Sequence, residues 1–187
     1  MKRFLFLLFF PLVTLGQGLT YNKHIIKGIA TISIPDCMET ESPHTKEIKE
    51  IIMNMDYSSQ KIVFIPKGDT EYARVIIWKL PVPDLTAEGM GQEEMKMIEE
   101  EFKALVKPAK IVRWTPIRKV KRGNDTALLL DYEREAVLKK DPNVLVKEYL
   151  FFHKGDMIRL TTSYQKPRRA YWKPIYDKIE SSFSLIK

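Results

Sequence analysis

Three short turns constrain this chain more than any other feature. Lys67-Gly68-Asp69, Gly123-Asn124-Asp125 and Lys154-Gly155-Asp156 each separate two runs rich in β-branched and aromatic residues. Gly, Asn and Asp tolerate the backbone angles that reverse a chain tightly, so the runs they join are expected to pair as antiparallel hairpins. The runs are Lys61 to Pro66 with Tyr72 to Leu80, Ile111 to Arg122 with Thr126 to Arg134, and Val144 to His153 with Met157 to Gln165. Gly28 to Pro35, with Ile29 and Ile32 to Ile34 punctuated by Thr and Ser, reads as a further strand that Pro35 and Asp36 end.

Between the strands the apolar period changes. From Gln92 to Lys107, Met95, Ile98, Phe102 and Leu105 fall on one helical face, Glu93, Glu94, Glu99, Glu100 and Glu101 point elsewhere, and Pro108 closes the segment. A second helix is predicted from Arg168 to Leu185, with Trp172, Ile175, Ile179 and Phe183 inward and Pro174 in the first turn, where its missing N–H costs nothing. A short third is predicted from Glu47 to Met55, on Ile48, Ile51, Ile52 and Met55. Residues 19–27 read as a loose lead-in, Glu39 to Lys46 as loop, and Lys139 to Asn143 as a turn around Pro142. Pro81 to Gly91 reads as a flexible loop exposing Val82, Leu85 and Met90. About seven strands, mostly in hairpins, and two longer helices with single apolar faces give an α+β class. A single, mostly antiparallel sheet is covered by two amphipathic helices.

The N-terminus carries a different signal. Met1, Lys2 and Arg3 precede an apolar run from Phe4 to Leu15, then Gly16, Gln17 and Gly18, which is the layout of a cleavable signal peptide over residues 1–16. The run is shorter than the roughly 20 residues that span a bilayer, and Pro11 interrupts it. Removing residues 1–16, which hold Lys2 and Arg3, leaves 171 residues and lowers the charge balance from +7 to +5. That length suits one domain, residues 17–187, with a core that needs no staples. A single Cys among 187 residues excludes a disulfide framework. A secreted protein, periplasmic or extracellular, is expected.

The order of elements resembles the PsbP-like superfamily. The residues that carry the resemblance are GIATISIPD at 28–36, the hairpin GNDTALLLDYERE at 123–135, and FFHKGDMIRLTTSY followed by a helix with IESSFSL within 151–185. The resemblance spans nearly all of the chain after residue 16 and implies an α/β/α sandwich. It also implies a binding or assembly-accessory protein, because members of this fold group share no catalytic residues. A fold by itself does not determine function.

Few residues carry chemistry. Cys37, in Asp36-Cys37-Met38-Glu39, would need a neighbouring base to act as a nucleophile, and only His24, His44 and His153 are available. The structural reading, a small side chain after a strand, is preferred. The histidines are isolated, so no zinc pattern exists, and the five acids of the Gln92 to Lys107 helix read as a solvated face. Gly89-Met90-Gly91 precedes a helix but lacks the third Gly and the Lys-Ser or Lys-Thr of a phosphate-binding turn. Asn124-Asp125-Thr126 has the form of a glycosylation triplet, although a tight turn explains Asn124 and Asp125. No cofactor is implied.

The surface feature with most content is basic. Arg113, Arg118, Lys119, Lys121 and Arg122 share one strand, Lys139 and Lys140 a turn, and Lys166, Arg168, Arg169 and Lys173 the start of the last helix, with Trp114, Tyr171 and Trp172 nearby. Convergence of these residues would attract a polyanionic glycan or an anionic membrane surface. The 24 interspersed acids favour a mixed, solvated surface, and an export signal argues against a nucleic-acid partner. The expectation is a non-enzymatic binding or assembly-accessory protein of the cell envelope with an unknown envelope protein or ligand as partner. An electrostatic binder of glycan or lipid is the alternative, and a small hydrolase a distant third.

Overall fold

The computed structural model describes residues 18–26, 28–41, 60–107, 109–136 and 140–186. The signal-peptide segment, the short Glu47 to Met55 helix and Lys139 lie outside them. Among the described residues ten strands and two α-helices follow in chain order: β1 Tyr21–Ile26, β2 Ala30–Pro35, β3 Met38–Thr40, β4 Gln60–Pro66, β5 Ala73–Pro81, α1 Gln92–Leu105, β6 Ile111–Arg122, β7 Asp125–Arg134, β8 Val144–His153, β9 Asp156–Gln165, α2 Arg169–Ser182 and β10 Ser184–Leu185. Seven strands form an antiparallel sheet in the order β3-β4-β5-β9-β8-β7-β6. The three predicted hairpins are its backbone. At the β8–β9 turn Lys154 and Gly155 take φ of +52° and +75°, the mirror-image turn that matches the twist of two paired strands.

The sheet buries both faces, and strand alternation divides the core. On one face Ala127 and Leu129 of β7 join Tyr149, Leu160, Val75 and Ile77 under α2, which contributes Trp172, Ile175, Ile179 and the residue after it, Phe183. On the other, Leu128 and Leu130 join Leu150 under Met95 and Phe102 of α1. The run Ala127-Leu128-Leu129-Leu130 is therefore continuous and apolar, because it is covered from both sides.

A second sheet was not foreseen. β2 pairs with β1 on one side and β10 on the other, and this three-stranded layer shares the α2 core through Ile32 and Ile34. The seventh strand of the main sheet is instead β3, read from sequence as loop. The residues read as a lead-in form β1, an outer strand whose Ile25 is 73% exposed and so hides the usual alternation. The last helix ends at Ser182 because Phe183 turns extended, at φ −70° and ψ 130°, which lets Ser184 and Leu185 pair with β2. Pro174 sits in the second turn of α2, not the first, and there forgoes one backbone bond. Leu105 leaves the apolar stripe of α1 and is 71% exposed.

Candidate functional site

The five basic residues of β6 do not form one patch: Lys119 and Lys121 meet at Glu88, whereas Arg113 pairs with Asp131 and Arg122 with Tyr149. β6 is an edge of the main sheet, and an edge offers unpaired N–H and C=O groups to any other strand. Charges, a Pro and a bulge blunt such edges, and β6 has all three: Arg118, Lys119 and Lys121, Pro116, and register breaks between Ile111 and Arg113 and between Thr115 and Arg118. Glu99 of α1 is not a purely solvated acid, because it accepts from the Ile117 N–H at 3.0 Å, inside the second break. Lys119 donates to the Glu88 carbonyl at 2.7 Å, and Lys121 lies 3.3 Å from the Glu88 carboxylate, which Thr126 also bonds. Those contacts pin the loop before α1 onto the β6–β7 hairpin. The expectation of a flexible loop with Met90 exposed is corrected accordingly, since Ala87 and Met90 are buried and only Leu85 stands out.

At α2 the basic residues separate further. Arg168 grips Glu71 through two contacts of 2.5 and 3.3 Å. Trp172 is 1% exposed, packed against Tyr171 and Tyr176, so it cannot touch a polyanion; its neighbour Tyr171 is the exposed ring, at 46%. Arg122 turns inward, its guanidinium 4.6 Å from the Tyr149 ring and donating to the Tyr149 hydroxyl. Among the described residues, Arg118 and Arg169 have no carboxylate partner.

Arg113, Lys166, Arg169 and Lys173 do line one concavity, an open groove of about 480 Å³ between α2 and strands β6 to β9. All of its charges but Arg169 are paired. Arg113 meets Asp131 at 2.9 Å, Lys166 meets Glu133 at 2.9 and 3.0 Å, and Lys173 meets Asp177 one helical turn away. Lys147 bridges Asp177 and Glu180 at 3.6 and 3.1 Å. Glu180 is the deepest of these groups, 2% exposed on the inner side of α2, and accepts from the Tyr149 and Thr162 hydroxyls at 2.7 Å each.

The surroundings set the proton affinities. Hydrogen bonds from Asn143 and Lys166, against some burial, hold the Glu133 carboxyl below the usual carboxylate value. Burial raises Asp177, but Lys173 and Lys147 outweigh it and the net shift is downward. Burial, then the Glu180 charge, push the Tyr149 phenol well above its ordinary value. Arg169 apart, the groove thus presents paired charges, with a phenol beneath them that keeps its proton. Such a surface suits recognition of a partner carrying both signs of charge.

Cys37 is half-buried, and burial raises its thiol; Tyr171, Asp36 and Lys67 surround it electrostatically, with no histidine among them. Among the described residues no three His, Cys, Asp or Glu gather closely enough to hold a metal ion. The acids of the groove escaped sequence reasoning. Their signal was a charge inside an apolar pattern: Glu180 follows Trp172 and Tyr176 at intervals of four, and Asp131 and Glu133 flank Tyr132 just after the run Ala127 to Leu130.

No family model and no curated protein matches the sequence. Solved structures do. Cyanobacterial PsbP (CyanoP) from Synechocystis superposes with a TM-score of 0.52 at 15% identity, over 90% of this chain and 94% of that one. The chain has the PsbP-like fold. LpqN, involved in cell envelope biogenesis of Mycobacterium tuberculosis, is similar at a TM-score of 0.52 and 15% identity, over 91% of this chain and 92% of that one. The Ran-binding protein Mog1p of Saccharomyces cerevisiae is similar at a TM-score of 0.51 and 9% identity, over 90% and 97%. These identities speak to the fold. No helix of the described residues is long and apolar enough to cross a membrane.

Proposed function

We propose that this chain is an exported, non-enzymatic binding or assembly-accessory protein of the cell envelope, periplasmic or extracellular, and that a protein partner docks along the groove beside α2. The observation that carries the reading is the pairing of charges there. Asp131, Glu133, Asp177 and Glu180 neutralise most of the nearby cations in place, so the groove offers alternating donors and acceptors rather than a positive field. A polyanion gains little from such a surface, whereas a protein segment with both charge signs finds its complement already ordered. Two structures of this fold, one described as Ran-binding and one as involved in cell envelope biogenesis, support a binding or accessory role. The export part rests on Met1 to Gly16.

Two measurements test the reading. Fractionation with N-terminal sequencing should recover the protein outside the cytoplasm, beginning at Gln17; a cytoplasmic chain retaining Met1 contradicts export. The pair Arg169→Glu and Lys173→Glu should abolish the complex formed in the envelope while leaving the melting temperature within a few degrees. Retention on heparin at physiological salt, lost on reversing Arg118, Lys119 and Lys121, would instead favour the polyanion reading.

A further inference from the structure

Among the described residues the two sheets end in four edge strands, and three of them offer little to a further strand. In the main sheet β3 is three residues long, and β6 is blunted by Pro116, Lys119, Lys121 and two register breaks. In the small sheet β10 is two residues long, and beyond it the Ser33 N–H of β2 is taken by the Ser182 hydroxyl at 2.9 Å. The fourth edge, β1, has none of these devices. Its six residues pair with β2 without a break, include no Pro and carry one charge, Lys23. Ile25 of this strand is 73% exposed, more than any other large apolar side chain described.

The ladder fixes which backbone groups of β1 face the open side. The Asp36 N–H donates to the Thr20 carbonyl at 2.8 Å, and the Ile29 N–H to the Ile26 carbonyl at 2.9 Å, so the β1–β2 pair is bonded at both ends. Between those ends alternation gives Asn22, His24 and Ile26 the bonds to β2, and turns the N–H and C=O groups of Tyr21, Lys23 and Ile25 outward. An open edge of this kind is a template for another chain, which is why native proteins guard their edges. Antiparallel pairing across a two-fold axis uses up both open edges and stops there, whereas a head-to-tail contact propagates. Register then decides. Centring on Lys23 sets like charges face to face, and centring on Asn22 carries Ile25 past the end of the paired strand. Centring on His24 sets Lys23 opposite the second copy's Ile25, where the lysine stem covers the exposed side chain.

We infer that β1 pairs antiparallel with β1 of a second copy of this chain, across a two-fold axis beside His24. Lys23 and Ile25 of each copy then exchange about four main-chain hydrogen bonds, and the two small sheets become one continuous sheet. No residue of β1 lines the groove beside α2, so the two surfaces stand or fall separately.

Sedimentation and light scattering of the purified protein, from micromolar to submillimolar concentration, test the inference. The native protein should reach twice the monomer mass. Lys23→Pro removes a donor that faces only the second copy, keeps the bonds to β2, and should leave a folded monomer. Ile25→Lys, at an exposed position, sets a lysine opposite Lys23 in both halves of the pair and should raise the dissociation constant about tenfold or more. Adding Lys23→Glu to Ile25→Lys places opposite charges face to face and should restore the dimer, a rescue that the register centred on Lys23 cannot give. If Lys23→Pro does not fold, the other two variants decide. A native protein that stays monomeric throughout the range, a dimer unchanged by Ile25→Lys, or a double variant that remains monomeric overturns the inference.

Discussion

Replacing Glu180 by Ala tests whether the buried carboxylate organises the groove. In the native protein Glu180 accepts from the Tyr149 hydroxyl, the Thr162 hydroxyl and Lys147. Lys147 has a second partner in Asp177, at 3.6 Å, and can turn to solvent. Tyr149 is 1% exposed and Thr162 2%, so their hydroxyls cannot. Two stranded donors at about 1–3 kcal/mol each give an expected loss of ~2–6 kcal/mol. In a domain of this size that corresponds to a fall in Tm of roughly 4–24 °C. Urea denaturation with an unchanged m-value is the assay. Pairing Glu180→Ala with Tyr149→Phe should show a coupling of about 1–3 kcal/mol, since the second change removes a donor that the first had stranded. A cost below about 1 kcal/mol for Glu180→Ala, or additivity of the pair, refutes the network.

Three further outcomes follow from the same geometry. Because Glu133 is held below the ordinary carboxylate value of 4.5, its pairing with Lys166 and Asn143 stabilises the fold above that pH and is lost as pH falls through the depressed value. Urea midpoints should therefore decline on acidification from about pH 5 to 3, and less steeply in Glu133→Gln; parallel curves for the two proteins rule the effect out. Pro116→Val combined with Lys119→Val and Lys121→Val should unmask the β6 edge and raise self-association in multi-angle light scattering, whereas a variant that associates no further than the native protein refutes the edge-guard reading. Cys37, its thiol raised by burial, should react with iodoacetamide at pH 7.5 more slowly than free cysteine; a faster reaction would reopen the nucleophile.

Strands whose pattern is set by local burial could be read from sequence. β6 and β8 begin and end where the β-branched runs and turn triplets place them. β1 could not, because an outer strand of a small sheet buries few residues and leaves Ile25 in solvent. β3 and β10 are three and two residues long, too short for any period to show, and exist only because β4 and β2 offer them a free edge. The candidate site divides likewise. Arg113, Arg169 and Lys173 announce themselves as charges in the sequence, but whether they form a positive field depends on acids brought from distant positions. Asp131 reaches Arg113 across a strand pair, and Glu133 meets Lys166 across 33 residues. The edge position of β6, which explains most of its basic residues, is a property of sheet order and has no local signature.

A partner is proposed to occupy the groove beside α2. Site-specific photocrosslinking in living cells tests it most directly, with the reactive residue placed at Arg169 in the groove or at Glu100, exposed on α1 across the sheet. One discrete protein adduct from position 169 and none from position 100 is the expected outcome. Adducts of equal yield from both positions, or an adduct from position 100 alone, would contradict it.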